Sequence, residues 1–402
     1  MFDLNQFIAK YVIQRPQSMF FQDIEANRDK LLHKIEGKSV LVIGGAGSIG
    51  SSFIKAVLPF KPSTLVVADI NENALAELTR DLRASRGMYV PEEYIPYPMD
   101  FASPVFQKMI RKRGGFDIIA NFSAHKHVRS EKDIYSVEAL LRNNVLNAKV
   151  LLDFLTEFPP EEYFCVSTDK AANPVNIMGA SKRIMEDMIF AYSDRFPVKT
   201  ARFANVAFSN GSLPAGYLQR IQKLQPISAP SDVKRYFVSP EESGQICMLA
   251  CMLGANREIF FPRLEEAQMM TFDRIAIALL QEHGYTPLPC ESDEEAIEKA
   301  EALRAGSLLY PVHFSRSDTS GEKAYEEFYT ESEHVDFKRL SALGVITGKE
   351  LPDKDRIQRF LEAMNKVFDR KETTKEEVIL LMKEYLPNFD HIETGKSLDS
   401  KM

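Results

Sequence analysis

Cysteine is scarce, four in 402 residues, and the four form neither a CxxC pair nor a Cys/His quartet at zinc spacing. Cys165 falls in an apolar run, Cys247 and Cys251 lie one helical turn apart in ICMLACML, and Cys290 follows a proline. A disulfide framework and a metal site are thereby set aside, and four reduced, buried thiols are expected. Also missing is an apolar run long enough to cross a bilayer. The opening residues, MFDLNQFIAKYVIQRPQ, lack the order of charge, apolar core and small residues that marks a secretory leader. The expectation is a soluble cytoplasmic protein with no membrane span. Positive charge is not in excess either: 50 Lys and Arg stand against 57 Asp and Glu, a formal net charge of −7. With no basic stripe interleaved with aromatics, no nucleic-acid partner is expected. Internal repeats and long low-complexity stretches are absent as well.

What the chain does carry is a glycine turn in context. In KSVLVIGGAGSIGSSFIKAVL the β-branched run Val40 to Ile43 meets Gly44, Gly47 and Gly50, with Ser48 and Ile49 between them, and then a helical pattern. Glycines at that spacing allow a tight turn and close backbone approach, so a diphosphate can sit on the amides of the helix N-terminus. A second strand, Thr64 to Ala68, ends in Asp69, where an acid accepts hydrogen bonds from a ribose 2′-hydroxyl and repels a 2′-phosphate. NAD is the expected cofactor; Arg80 and Arg83 nearby leave NADP open. The rival reading is an ordinary βα turn with a surface aspartate.

Strand and helix patterns alternate from Lys38 to about Val206, which predicts an α/β fold with a doubly wound parallel sheet. Strands are expected at Val40–Ile43, Thr64–Ala68, Glu93–Tyr97, Asp117–Asn121, Tyr163–Ser167 and Lys199–Arg202, and helices at Ser136–Phe154 and Ala180–Ser193. The organisation read from this is a helical arm over 1–36, a Rossmann domain over 37–206, and a smaller α/β substrate lobe over 207–345, from which 237–260 return to the core. A helical extension over 346–402 completes it. Ser292 and Glu295 read as a capping box with Gly306 as the helix stop, and a last helix is capped near Thr373 or Thr374.

The fifth strand runs straight into VSTDKAANPVNIMGASK, where Thr168, Asp169 and Lys170 are followed by Met178 and, four residues on, Lys182. A hydroxyl, a carboxylate and an amine at a strand end occupy the place where open α/β sheets bind ligands.

Together with Asp100 and Phe101 after the third strand, NFSAHKHV, NNV at Asn143–Val145, RFANVAFSNGS, KRYFVSPEE and GEKAYEEF, these residues resemble the extended short-chain dehydrogenase/reductases that modify nucleotide sugars. Within that group the chain resembles the UDP-N-acetylglucosamine 4,6-dehydratases of polysaccharide synthesis. The likeness runs over about residues 15–260 and a short piece near Gly321. Many relatives carry a tyrosine four residues before the lysine; here Met178 stands in its place, as in the retaining subgroup, and a thioether cannot be the base. The resemblance implies hydride removal from C4, loss of water across C5 and C6, and hydride return to C6, with Lys170 as C5 base and Asp169 protonating the departing 6-hydroxyl. The group that deprotonates the 4-hydroxyl stays open among Asp169, Lys170 and Lys182.

It further implies Thr168 at the sugar 4-oxygen, Lys126, His127, Asn144, Asn205, Ser212 and Arg235 toward the UDP-sugar substrate, and Ser123, Asp100, Phe101 and Lys182 toward the cofactor. Asn144 reads equally as a buried structural amide, Arg235 as a surface ion pair and Asp100 as a turn residue. Glu326 and Glu327 read as a capped helix without a catalytic role. A homo-oligomer is implied, and Phe20 and Phe21 could pack within the chain or on a neighbour. The rival functions are a dehydratase on another nucleotide sugar, C5-inverting enzymes included, a 4-epimerase, and a non-catalytic nucleotide-sugar sensor.

Overall fold

Strand β1 (Ser39–Ile43) and the β2 (Thr64–Asp69) and β4 (Ile118–Asn121) strands beside it are apolar almost without interruption and buried along most of their length. Strands with no polar face to show must be covered on both sides, which is the condition of a parallel sheet between helices. Together with β3 (Glu93–Pro98), β5 (Glu162–Val166), β6 (Val198–Ala201), β7 (Glu258–Pro262), β8 (His334–Asp336) and β9 (Leu343–Thr347) they make a nine-stranded sheet. Its order is β8-β9-β7-β6-β5-β4-β1-β2-β3, antiparallel only where β9 meets β7 and β8. Strand order reverses between β1 and β4, so a crevice opens at the carboxyl ends of those two strands. The computed structural model describes residues 2–127, 131–317, 325 and 327–392.

The doubly wound sheet is the class the sequence predicts, and the six expected strands fall within a residue or two of their places. Three readings change. The helix expected over Ser136–Phe154 is broken by a π-turn, Arg142–Asn147, between Ile134–Leu141 and Ala148–Leu155. Residues 334–347, assigned to the substrate lobe, supply β8 and β9 to the main sheet, where an antiparallel hairpin covers the edge that β7 would otherwise expose. The helix begun at Ser292 ends at Ala300, well before Gly306, and Glu295 turns its carboxylate to the amide of Glu291 rather than closing a box on Ser292.

The smaller lobe has a three-stranded parallel sheet, with Leu309–Ser315 between Thr286–Cys290 and Ile227–Pro230. Its core joins Tyr217, Ile275, Leu279, Tyr310 and Val312 to Phe7, Ile8 and Val12 from the start of the chain. The next part of the same arm sends Phe20, Leu31 and Ile35 into the core of the large domain, while Phe21 stays exposed. The arm is thus no appendage but a strap across both lobes. Between its two halves Arg15 donates to both oxygens of Glu242, at 3.0 and 2.8 Å, and Glu242 is fully buried at the head of the helix Pro240–Leu253. At the other end of the chain, helices Lys354–Phe368 and Lys375–Tyr385 bury Phe360, Met364, Val378 and Met382 in the cluster that holds Leu151, Ile184 and Met188.

Candidate active site

Gly44 adopts a left-handed φ of +70°, and a Cβ there would stand 2.7 Å from the Ser123 amide nitrogen. A side chain at Gly50 would run into the Gly44 carbonyl oxygen. Only glycine lets β1, the turn and the next helix, Ser48–Val57, approach this closely, and Gly47 is that helix's N-cap. Asp69, at the end of β2, accepts from the Ala46 amide inside the turn at 3.0 Å and from Asn71 at 2.9 Å. Turn, helix N-terminus and acid therefore assemble as one cradle shaped for a dinucleotide. Ser48 accepts from the Asn210 amide at 2.9 Å, tying the cradle to the substrate lobe, and the Ser123 amide donates to Asn121. Asp100 is exposed and accepts from the Ala102 amide in its own turn, and the Phe101 ring is buried in the core.

Next to the cradle lies a cavity of about 580 Å³. Ile49 and Phe122 meet it from the cradle side, Ser167, Thr168, Lys170, Met178 and Lys182 from the floor, and Asn205, Ser212 and Arg220 from the lobe. Its ionisable lining groups among the described residues are Lys126, His127, Lys170, Lys182 and Arg220; carboxylates, tyrosines and cysteines are missing from that wall. A wall with that balance is matched to an anion.

The floor is set by β5 and by the helix Ile177–Ala191, which starts earlier than expected and so puts Met178 in its first turn. Asn176 caps it, accepting from the Gly179 amide at 2.7 Å. Lys182, one turn further on, is buried and donates to the Val166 carbonyl at 3.0 Å; desolvation holds its pKa below the ordinary lysine value. Desolvation also lowers Lys126, although its side chain keeps surface toward the cavity. Asp169 lies one layer behind the wall, 3% exposed. Its Oδ1 accepts from the Thr168 hydroxyl at 2.7 Å, the Lys170 amide at 2.9 Å and the Lys170 ammonium at 3.1 Å.

Two expected substrate residues lie off the cavity. Asn144 sits in the π-turn, bonded to both backbone groups of His125, to Ser181 and to Asn143, which is the structural reading of that amide. Arg235 is buried in a short strand paired with Met270, its Nη1 donating to the Lys234 carbonyl. Glu327 is not in a helix; it accepts from Asn173 in the loop 167–176 that follows β5, and Glu326 lies outside the described residues. Gln219 and Arg220 were not anticipated. Their signal is a polar stripe, with Gly216 at i−3 and i−4, on a helix capped by Ser212. The four cysteines are free and buried, and no metal-binding cluster occurs among the described residues. No helix among them is long and apolar enough to cross a membrane.

Residues 40–340 match the sequence family described as polysaccharide biosynthesis protein. An uncharacterized membrane protein of Methanocaldococcus jannaschii is 30% identical, over 77% of this chain and 85% of that one. An inverting UDP-N-acetylglucosamine 4,6-dehydratase of Campylobacter jejuni is 24% identical, over 74% of this chain and 84% of that one. Among solved structures, Pen from Bacillus thuringiensis superposes with a TM-score of 0.60 at 20% identity, covering 79% of this chain and 90% of that one, a likeness of fold. With the match extending over most of its length, the chain belongs to the polysaccharide biosynthesis protein family.

Proposed function

We propose that this protein is a nucleotide-sugar 4,6-dehydratase acting on UDP-N-acetylglucosamine, and that it forms UDP-2-acetamido-2,6-dideoxy-xylo-hexos-4-ulose with retention at C5. One observation carries the reading: Thr168 and Lys170, both bonded to Asp169 behind them, lie on a cavity floor where Met178 stands and, among the described residues, no tyrosine reaches. NAD fits the glycine cradle, with Asp69 placed for its ribose. When bound, it would supply the hydride acceptor for C4 and the hydride donor for C6.

The chain's own residues handle the protons. The Thr168 hydroxyl already donates to Asp169, so it can accept the sugar's 4-hydroxyl and pass that proton to the carboxylate, a relay in place of the missing tyrosine. Asp169 is then protonated, which is the state that elimination needs. Lys170 takes the C5 proton, and protonation of Asp169 removes the carboxylate that pairs with its ammonium. The Asp169 proton passes back through the Thr168 hydroxyl to the departing 6-hydroxyl, which leaves as water, and Lys170, after exchange with solvent, returns a proton to C5. Lys126 and Arg220 stand on the same wall to receive the diphosphate. Epimerisation would have no use for an acid and base set against C5 and C6.

The test is proton NMR of the purified protein with UDP-N-acetylglucosamine in deuterated water. A 6-methyl signal with deuterium at C5, lost in Lys170→Ala, is expected. An epimeric hexose without a methyl signal would replace this reading with the epimerase, and an unchanged spectrum would reject this substrate.

A further inference from the structure

The reactive loop, residues 167–176, is held at its far end by groups from distant parts of the chain that do not line the cavity. The Met178 amide donates to Glu131 Oε1 at 2.9 Å. Glu131 is buried, and its other oxygen lies 3.6 Å from Nε2 of His391, a side chain only 5% exposed. The next residue, Ile392, donates its amide to the Val175 carbonyl at 3.0 Å. Phe389 anchors this segment in the main core and packs against the His391 ring, centroids 5.8 Å apart.

These contacts bear on Lys170. A Cβ on Gly179 would stand 2.6 Å from the Lys170 carbonyl oxygen, so the first turn of the Met178 helix rests directly on the backbone of the proposed base. Asn176 satisfies one first-turn amide from within the loop, and Glu131 satisfies another from a different element. A shift of that turn is a shift of Lys170 and, one turn on, of Lys182.

We propose that Glu131 is a positioning residue for the catalytic loop and that the segment Phe389–Ile392 is the clamp that holds both Glu131 and the Val175 turn in register with it. The inference rests on the dehydratase reading only for the activity it affects. Two readouts separate the two ideas: hydrogen exchange across residues 167–182, which needs no turnover, and steady-state kinetics with UDP-N-acetylglucosamine. Affinity for UDP and the melting temperature serve as controls.

Glu131→Ala should speed exchange at Met178 and its neighbours and lower kcat by about 100-fold, with UDP affinity within roughly threefold. Glu131→Gln keeps an acceptor for the Met178 amide and should recover most of the loss. Ile392→Pro, which deletes the amide donor to Val175 and constrains the backbone of His391 before it, should show the same pattern, and it carries the test if Glu131→Ala does not fold. Unchanged exchange and kcat in Glu131→Ala and Ile392→Pro would overturn the proposal, as would a loss of UDP affinity matching the loss of kcat. Faster exchange in the variants of a protein that makes no 4-keto product would leave the clamp standing and reject the dehydratase.

Discussion

At the scale of the single residue, Met178 and Thr168 make opposite predictions. Met178 offers shape alone, so Met178→Leu, a volume-conserving exchange, should keep kcat within about fivefold. Thr168→Val removes the hydroxyl that donates to Asp169 and that the proposed relay sets against the sugar, and it should cost about 100-fold or more in kcat, with a smaller effect on KM. Following 4-keto sugar formation in the two variants checks both, and a Met178→Leu loss as large as that of Thr168→Val would give the methionine a role the relay lacks. Much at this scale was legible beforehand. Gly44, Asp69 and the Thr168–Asp169–Lys170 triplet are found by spacing, because each answers to a neighbour close in sequence or to a strand end. Asp169 sitting behind the wall, Arg235 lying off the cavity and Arg220 lining it were not, since which side chains line a cavity is decided by how elements distant in sequence pack.

Between elements, the tightest contact is where the helix Pro240–Leu253 crosses Ser48–Val57: a Cβ on Gly244 would overlap the Ser52 carbonyl. Gly244→Ala must push the two helices apart and with them the cradle at the head of the second, since backbone on both sides cannot yield as a side chain can. A loss of about 1–3 kcal/mol is expected, read as a lower melting temperature together with weaker NAD binding by calorimetry. A melting temperature and NAD affinity equal to wild type would show that this crossing has slack. The helices themselves were readable from caps and periodicity. The π-turn at Arg142–Asn147 was not, because its apolar pattern continues through it and the extra residue is absorbed by Asn144, three of whose four side-chain hydrogen bonds go to His125 and Ser181, outside its own turn.

On the scale of the whole molecule, a buried charge cluster joins late sequence to early. Arg202 grips Glu186, at 2.8 and 2.6 Å, and Glu333, at 2.8 and 3.0 Å, and Ser167 on the cavity wall donates to Glu186. Burial alone would raise both carboxyls, but the guanidinium outweighs it and holds each below its ordinary 4.5. Groups lowered in this way contribute stability that is complete above the ordinary carboxylate range and is lost as pH falls through their depressed values. Arg202→Ala should therefore cost about 3–5 kcal/mol at neutral pH, and the gap between variant and wild type should narrow as pH falls through the depressed carboxyl values. Circular dichroism melts across the acid range measure this, and a gap that does not change with pH would rule out Arg202 as the cause. The strap at Arg15 works at the same scale: Arg15→Ala leaves Glu242 buried without its ion partner and should loosen the seat of the substrate lobe, seen as a higher KM. Neither connection can be read from local sequence, as Arg202 and Glu333 stand 131 residues apart and Arg15 and Glu242 227.

The clamp at Ile392 also sets an order of events. During synthesis β1 to β5 and the loop that follows them emerge early, whereas the amide that fastens Val175 is among the last parts of the described chain to appear. Closing so long a loop adds only slowly to the entropy already lost, so the link is affordable in a finished fold but unavailable to a nascent one. A partly made chain would hold its cradle and its glycine turn while the lysine proposed as the C5 base stayed out of register, so the capacity to bind nucleotide should precede the proposed turnover of sugar.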